Sequence, residues 1–113
     1  MKDFPEFMRG SENLIAEGSP SSGINGWVYD GADGKQVIYW SCGIDGVSEE
    51  HEHDFDEYFI VVQGKYTLII EGRRIDLCKG DEYFIPKNVP HAGKFIAGTR
   101  TIHCFGGKRA ERA

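Results

Sequence analysis

Histidine is scarce in the 113-residue chain, with four copies, and two of them stand one residue apart in His51-Glu52-His53. On an extended strand, residues i and i+2 project from the same face, so both imidazoles can reach one point. Glu57 follows just before the apolar run Tyr58 to Val62, and a third imidazole, His91, comes after Pro86 and Pro90 at the start of a later predicted strand. Two neighbouring imidazoles, a nearby carboxylate and a distant imidazole form a mixed nitrogen and oxygen donor set suited to a divalent transition metal. A plainer alternative stands beside it. Glu49-Glu50-His51-Glu52-His53-Asp54, with Asp56-Glu57 just beyond, also reads as an exposed acidic loop. Histidine-rich tracts are weak compositional signals by themselves.

The fourth histidine, His103, alternates with Thr101 and Phe105 on the last predicted strand. There it can face a pocket as a supporting group or a general acid/base, against the commoner outcome of a hydrogen-bonded core histidine. Trp40, Cys42, Phe59 and Tyr83 lie on strands that could line a barrel mouth, although barrel-filling packing explains such residues equally well. Asp81, in Gly80-Asp81, is a turn residue. The acidic residues Glu49, Glu50, Glu52, Asp54 and Asp56 are expected to form a solvated rim whose field opposes anionic substrates at the mouth.

The elements that must position these groups are strands. Trp27 to Asp30 and Gln36 to Cys42 are aromatic and β-branched runs separated by Gly31-Ala32-Asp33-Gly34, a hairpin signal. Tyr58 to Val62, Tyr66 to Ile70, Ile75 to Leu77, Tyr83 to Ile85 and Thr99 to Phe105 continue the same rhythm, each ending at a glycine or proline turn. Short strands at regular spacing, without a long helix between them, predict an all-β antiparallel sandwich or barrel. Both faces of Tyr58 to Val62 are apolar, which predicts cover on both sides, one way for a small sheet protein to make a dimer interface. Residues 1–25 read as an arm ending in the linker-like Gly18-Ser19-Pro20-Ser21-Ser22-Gly23, residues 26–107 as a single barrel, and residues 108–113 as a solvated tail.

Composition narrows the partners. A length of 113 residues suits one domain. Thirteen basic against 18 acidic residues leave a net charge of −5, which argues against nucleic acid or an anionic membrane as partner. Three cysteines, Cys42, Cys78 and Cys104, are odd in number and widely spaced, so reduced core thiols in a cytoplasmic protein are expected. Neither a signal peptide nor an apolar span of membrane length is present in this sequence.

The glycine and proline spacing around the histidines resembles the cupin family. The first cupin motif runs Gly, five residues, His-x-His, three or four residues, Glu, six residues, Gly. His51, His53, Glu57 and Gly64 fit that spacing, while Gly46 falls one residue late for the opening glycine. The second motif runs Gly, five residues, Pro-x-Gly, two residues, His, three residues, Asn. Gly80, Pro86 and His91 fit it, with Asn88 in place of the glycine and Phe95 in place of the asparagine. Asparagine tolerates left-handed backbone best after glycine, so Asn88 can make the same turn.

The resemblance spans roughly Gln36 to Phe105 and implies a double-stranded β-helix, a jelly-roll barrel with a metal inside one open end. It implies His51, His53, Glu57 and His91 as ligands of one divalent transition metal per chain, drawn from Fe, Mn, Ni, Zn or Cu. It further implies a homodimer of paired sheets, to which the N-terminal arm could cross. For function it allows dioxygenase, isomerase, decarboxylase or lyase chemistry on a small oxygen-bearing molecule. The other class it allows is a non-catalytic small-molecule binding or sensing cupin, which here would need a separate partner for want of a helix-turn-helix segment.

Overall fold

A computed structural model describes residues 1–16 and 23–113 and arranges them around two antiparallel sheets. The strands among these residues are β1 (Ile24–Asp30), β2 (Gln36–Cys42), β3 (Gly46–His51), β4 (Glu57–Gln63), β5 (Lys65–Ile70), β6 (Arg73–Cys78), β7 (Glu82–Ile85), β8 (His91–Phe95) and β9 (Thr99–Phe105). One sheet runs β1-β2-β9-β4-β7 and the other β3-β8-β5-β6. From β2 onward the chain crosses from one sheet to the other at every step except β5 to β6, the winding of a jelly roll. No helix among the described residues is long and apolar enough to cross a membrane.

Alternation decides what each strand turns inward. On β4, Glu57, Phe59 and Val61 are buried while Tyr58, Ile60 and Val62 are half-buried on the outer face. Phe59, Val61, Leu68, Ile70, Leu77 and Ile85 form one apolar cluster between the sheets. Ile15, Val28, Ile38, Phe105 and Ala110 form a second. The tight link from β4 to β5 needs glycine on two counts. Gly64 has φ 82°, and a Cβ there would come within 2.5 Å of Thr99 Oγ1.

The described part of the arm packs on its own barrel. Phe4 is buried, its ring 5.5 Å from Tyr39 and beneath the Arg100 guanidinium, and Ile15 is fully buried with its N–H donating to Gly26 O at 2.9 Å. Residues 17–22, which hold most of the linker-like stretch, lie outside the described residues.

The tail differs from the solvated end expected for residues 108–113. Gln36, 2% exposed, captures it through its side-chain amide. Oε1 accepts the N–H groups of Arg109 and Ala110 at 2.6 and 3.0 Å, and Nε2 donates to Ala110 O at 3.1 Å and Asp30 Oδ1 at 2.8 Å. Ala110 is consequently buried, and Arg112 pairs with Asp30 and donates to Val28 O and Asn13 Oδ1. Charged composition suggested solvent, but a buried amide that bonds backbone groups outweighs it. The expectation of core thiols also needs correcting. Cys42 is buried, and burial pushes its thiol up to about 11, whereas Cys78 and Cys104 are exposed because Leu77, His103 and Phe105 take the inward positions beside them.

Gln36→Ala should therefore strand several backbone groups and free the tail. A loss of about 1–3 kcal/mol in urea unfolding, with trypsin cutting after Arg109 or Lys108 that wild type resists, is the expected result.

Candidate metal centre

Three histidines converge at one end of the barrel. His51 closes β3 and is paired across the sheet with His91, the first residue of β8. The strand stops at His51, so His53 does not share a face with it by strand alternation as expected. His53 is carried back by a loop that the β7–β8 turn fastens. The N–H of Asn88 donates to His53 O at 2.7 Å, and that of Lys87 to Asp56 Oδ1 at 2.9 Å. Asn88 makes this bond from φ 64°, the left-handed conformation anticipated for it. The ring centroids stand 4.9 Å apart for His51 and His53, 4.4 Å for His51 and His91, and 5.5 Å for His53 and His91. One ring nitrogen from each lies within 4.8 Å of the others.

Local hydrogen bonds aim the rings. A carbonyl oxygen can only accept, so the bonds of His51 Nδ1 to Glu49 O (2.7 Å) and of His91 Nδ1 to Val89 O (2.9 Å) place the proton on Nδ1. Each Nε2 lone pair is left for the site. His53 is held flat against Phe55, with centroids 5.0 Å apart and planes 3° from parallel.

Glu57, 5% exposed at the start of β4, completes the cluster. Its Oε2 accepts from His103 Nδ1 at 2.8 Å. Its Oε1 stands 3.4 Å from His91 Nε2 and 3.6 Å from His53 Nε2. These three atoms are buried without a hydrogen-bond partner. Leaving buried polar atoms unpaired is costly, and three in one place face a common point that a cation would satisfy.

The protonation states of His53 and Glu57 suit that purpose. Burial pushes His53 down to about 4, keeping its lone pair available at neutral pH. Burial would raise Glu57, but the hydrogen bond from His103 and the nearness of His91 outweigh it and hold the carboxyl well below the usual carboxylate range. For His91, burial acts downward, yet the contact with Glu57 and the Val89 carbonyl prevail and move it up. A deprotonated carboxylate and a neutral imidazole are the forms that bind metals.

His103 sits behind this group. With the Glu57 carboxylate on Nδ1, its Nε2 meets Thr101 Oγ1 at 2.9 Å, so both ring nitrogens are engaged. Phe59 stacks on the ring at 4.7 Å and Phe105 lies near-parallel at 5.9 Å.

A cavity of about 320 Å³ opens onto His51, Glu57, His91 and His103. Trp40 and Cys42 form part of its wall. Phe59 and Tyr83 do not line it, against expectation. Phe59 is 1% exposed and lies in the apolar cluster behind His103, while Tyr83 packs on the outside of that cluster with its hydroxyl accepting from Arg73 at 3.2 Å. Alternation assigns a residue to a face but not to the open or closed end of the barrel. The wall contains two groups that the sequence did not single out for it, Tyr66 and Arg109. Tyr66 reaches in because Gly93, on the neighbouring strand β8, has no side chain: a Cβ there would collide with the phenol oxygen. Arg109 comes from the tail, where charge alone had suggested solvent.

Residues 42–105, more than half of the chain, match the family model described as Cupin domain, and the chain belongs to the cupin family. No curated protein matches it. Among solved structures, an RmlC-like cupin from Shewanella frigidimarina superposes with a TM-score of 0.75 at 20% identity, covering 96% of each chain. KdgF from Halomonas sp. gives 0.72 at 20% identity over 85% of this chain and 93% of that one. The polyketide cyclase RemF from Streptomyces resistomycificus gives 0.64 at 19% identity over 78% of this chain and 67% of that one. At such identities the likeness is one of fold.

The depressed His53 leads to a pH test on chelator-stripped protein. An unfolded histidine titrates near 6.5 and the folded one near 4, so the unfolded state takes the proton first as pH falls. Stability contributed by neutral His53 is present above about pH 6.5 and lost progressively toward pH 4. Urea unfolding from pH 7 to 4 should show wild type losing stability relative to His53→Gln, with the opposing His91 shift common to both. Parallel curves would contradict the burial of a neutral His53.

Proposed function

We propose that His51, His53, His91 and Glu57 hold one divalent transition metal per chain, and that the protein is a small metal-dependent enzyme acting on an oxygen-bearing small molecule in the adjoining cavity. The observation that carries this is the convergence of buried, unpartnered His53 Nε2, His91 Nε2 and Glu57 Oε1 beside the His51 ring. Ligands bound at about 2.1 Å stand about 3.0 Å apart when adjacent and about 4.2 Å when opposite, and the Glu57–histidine separations of 3.4 and 3.6 Å fall in that range. Three imidazoles with a carboxylate suit Fe, Mn, Ni, Zn or Cu. The ion would supply Lewis acidity, stabilising negative charge that develops on a substrate oxygen.

The chain's own residues prepare the site. Glu57 is kept ionised, so the donor set carries one negative charge. His103 is a positioning residue: with Thr101 behind it and Phe59 against its face, it fixes the rotation of the carboxylate and turns Oε1 toward the imidazoles. Trp40 and Cys42 form a wall with no charge, and Cys42 stays a thiol at neutral pH. Oxygenation, isomerisation, decarboxylation and elimination are the reaction types this chemistry serves, and enzymes of the same fold, RemF among them, support the catalytic reading.

Elemental mass spectrometry of untagged protein, purified without chelator, tests the site. About one metal per chain is expected, lost in His91→Ala and His51→Ala variants that stay folded by circular dichroism. His103→Leu should keep the stoichiometry at saturating metal while weakening affinity roughly 10- to 100-fold. Wild type that takes up no metal after reconstitution would overturn the assignment. Metal uptake with no turnover or oxygen consumption on any candidate substrate would leave a non-catalytic binding protein.

We also propose a homodimer through the outer face of the five-stranded sheet. Two cross-strand rows lie on it, Phe84–Tyr58–Cys104–Val37 and Ile60–Ile102–Tyr39. Phe84 is 56% exposed, while Phe4 of the arm packs elsewhere on the face, against Tyr39 and Arg100. Light scattering at micromolar concentration should give twice the chain mass, and a monomer mass would refute the pairing.

A further inference from the structure

We infer that Tyr66 selects the ligand of the cavity, its hydroxyl donating to the carbonyl oxygen of a small compound whose second oxygen function lies at the histidine end. For the group that takes the second oxygen this rests on the metal-site reading above.

The ring of Tyr66 is fixed on three sides. Its centroid stands 5.1 Å from Phe59, 6.2 Å from His103 in an edge contact, and 6.4 Å from Phe95 with planes 19° apart. The hydroxyl lies over Gly93 of β8, where any side chain would meet it. Along β8, Gly93 and His91 are both buried, with half-buried Ala92 between them. Two residues of strand span about 6.6 Å, so the phenol oxygen sits one inward step along β8 from a proposed metal ligand. On β3 the same two levels are occupied by Ser48, paired with Gly93, and His51, paired with His91. Phenol and imidazoles therefore face one cavity from neighbouring levels of the same ladder.

Three hydroxyls line that cavity, those of Ser48, Tyr66 and Thr101. Thr101 Oγ1 is committed to His103 Nε2 at 2.9 Å. Ser48 Oγ accepts the Gly93 N–H at 2.9 Å. Its own O–H stands 3.5 Å from Gly93 O, long for a hydroxyl donor, and serves the phenol oxygen over the same glycine. Burial, joined by the Glu57 carboxylate, holds the phenol above its usual range against that bond, so the hydroxyl keeps its proton at neutral pH. That proton has no acceptor among the described residues.

An unused donor on a half-enclosed wall is matched by a ligand group that can only accept, and a carbonyl oxygen is such a group. A ligand lacking it would strip water from the hydroxyl and put nothing in its place, which is how a polar group in a pocket discriminates. One inward step leaves room for about two or three carbons between the two oxygens of the ligand. The cavity volume of about 320 Å³ is at the small end for ligand pockets. Short oxo acids meet both requirements, with the keto oxygen on Tyr66 and the carboxylate at the histidine end.

Isothermal titration calorimetry at pH 7 tests the inference on zinc-reconstituted protein, with zinc content measured separately. Pyruvate, acetoacetate and 4-oxopentanoate are compared with propionate, butyrate and pentanoate, which lack the keto oxygen. At least one oxo acid should bind wild type more tightly than its plain counterpart. Tyr66→Phe, which keeps the ring, should weaken that oxo acid about three- to tenfold and leave the plain acid and the zinc content unchanged. The same oxo acid should also shift the near-ultraviolet tyrosine band of wild type, and the plain acid should not. Equal affinity of wild type and Tyr66→Phe for the oxo acid overturns the inference, as does a wild type that favours no oxo acid or binds neither series. If Tyr66→Phe fails to fold, the wild-type tyrosine band decides: a shift with the oxo acid alone supports the inference and its absence overturns it. Wild type that takes up no zinc overturns the metal-site reading and this inference with it, whereas full zinc content without dependence on Tyr66 overturns the inference alone.

Discussion

A carboxylate buried to 5% exposure at the head of strand β4 is the group around which the open end of this barrel is organised. Taking an ionised carboxylate out of water costs several kcal/mol unless bonds and charges replace the lost hydration. Glu57 obtains part of that replacement from His103 and leaves Oε1 facing His53 and His91. The unsatisfied half explains why the imidazoles gather where they do. It also explains why the rest of the barrel must be rigid, since a mobile carboxylate would turn both oxygens to whatever donor was nearest. The apolar cluster around Phe59, Leu68 and Ile85 supplies that rigidity from the closed end.

Strand β9 links this requirement to the rest of the chain. Thr99, Thr101, His103 and Phe105 all face inward from the middle of the five-stranded sheet, between β2 and β4. Read in order they seat the β4–β5 turn against Gly64, hold the His103 ring, hold Glu57, and fill the space beside His53. The same strand then delivers the tail to Gln36, which fastens it beside the cavity. Closing the barrel, setting the donors and placing Arg109 are thus three consequences of one strand and the segment that leaves it.

Much of this was legible beforehand, and the reasons differ by element. Strands were readable because alternation and turn residues are local signals. His51, His53, Glu57 and His91 were readable because donor residues of rare types fell at the spacing of a known family. What brings His53 to its neighbours was not readable, since it depends on a hydrogen bond from Asn88, 35 positions away along the chain. Phe59 and Tyr83 were assigned to the pocket because inward and outward can be told from sequence, whereas depth along a barrel cannot. The tail was misjudged for a related reason. Its fate is set by one distant amide, Gln36, and a polar residue at an inward strand position gives no sign of which backbone it will bind.

Net charge was the least informative quantity of all. A balance of −5 and an acidic stretch beside the histidines suggested a mouth hostile to anions. The structure sets the rim carboxylates in solvent, buries Glu57 beneath them and brings the half-buried Arg109 to the cavity wall. Interaction strength rises as water is excluded, so Glu57 and Arg109 weigh more on the histidines than the solvated rim does. Arg109 also bears on the donors themselves, since its field acts against protonation of His53 and His91 and so favours the neutral forms that coordinate a metal. Burial and the Arg109 field thus act in the same direction on His53, and the Glu57 carboxylate opposes both, so the neutral imidazole is the outcome of a balance in which burial is the largest part.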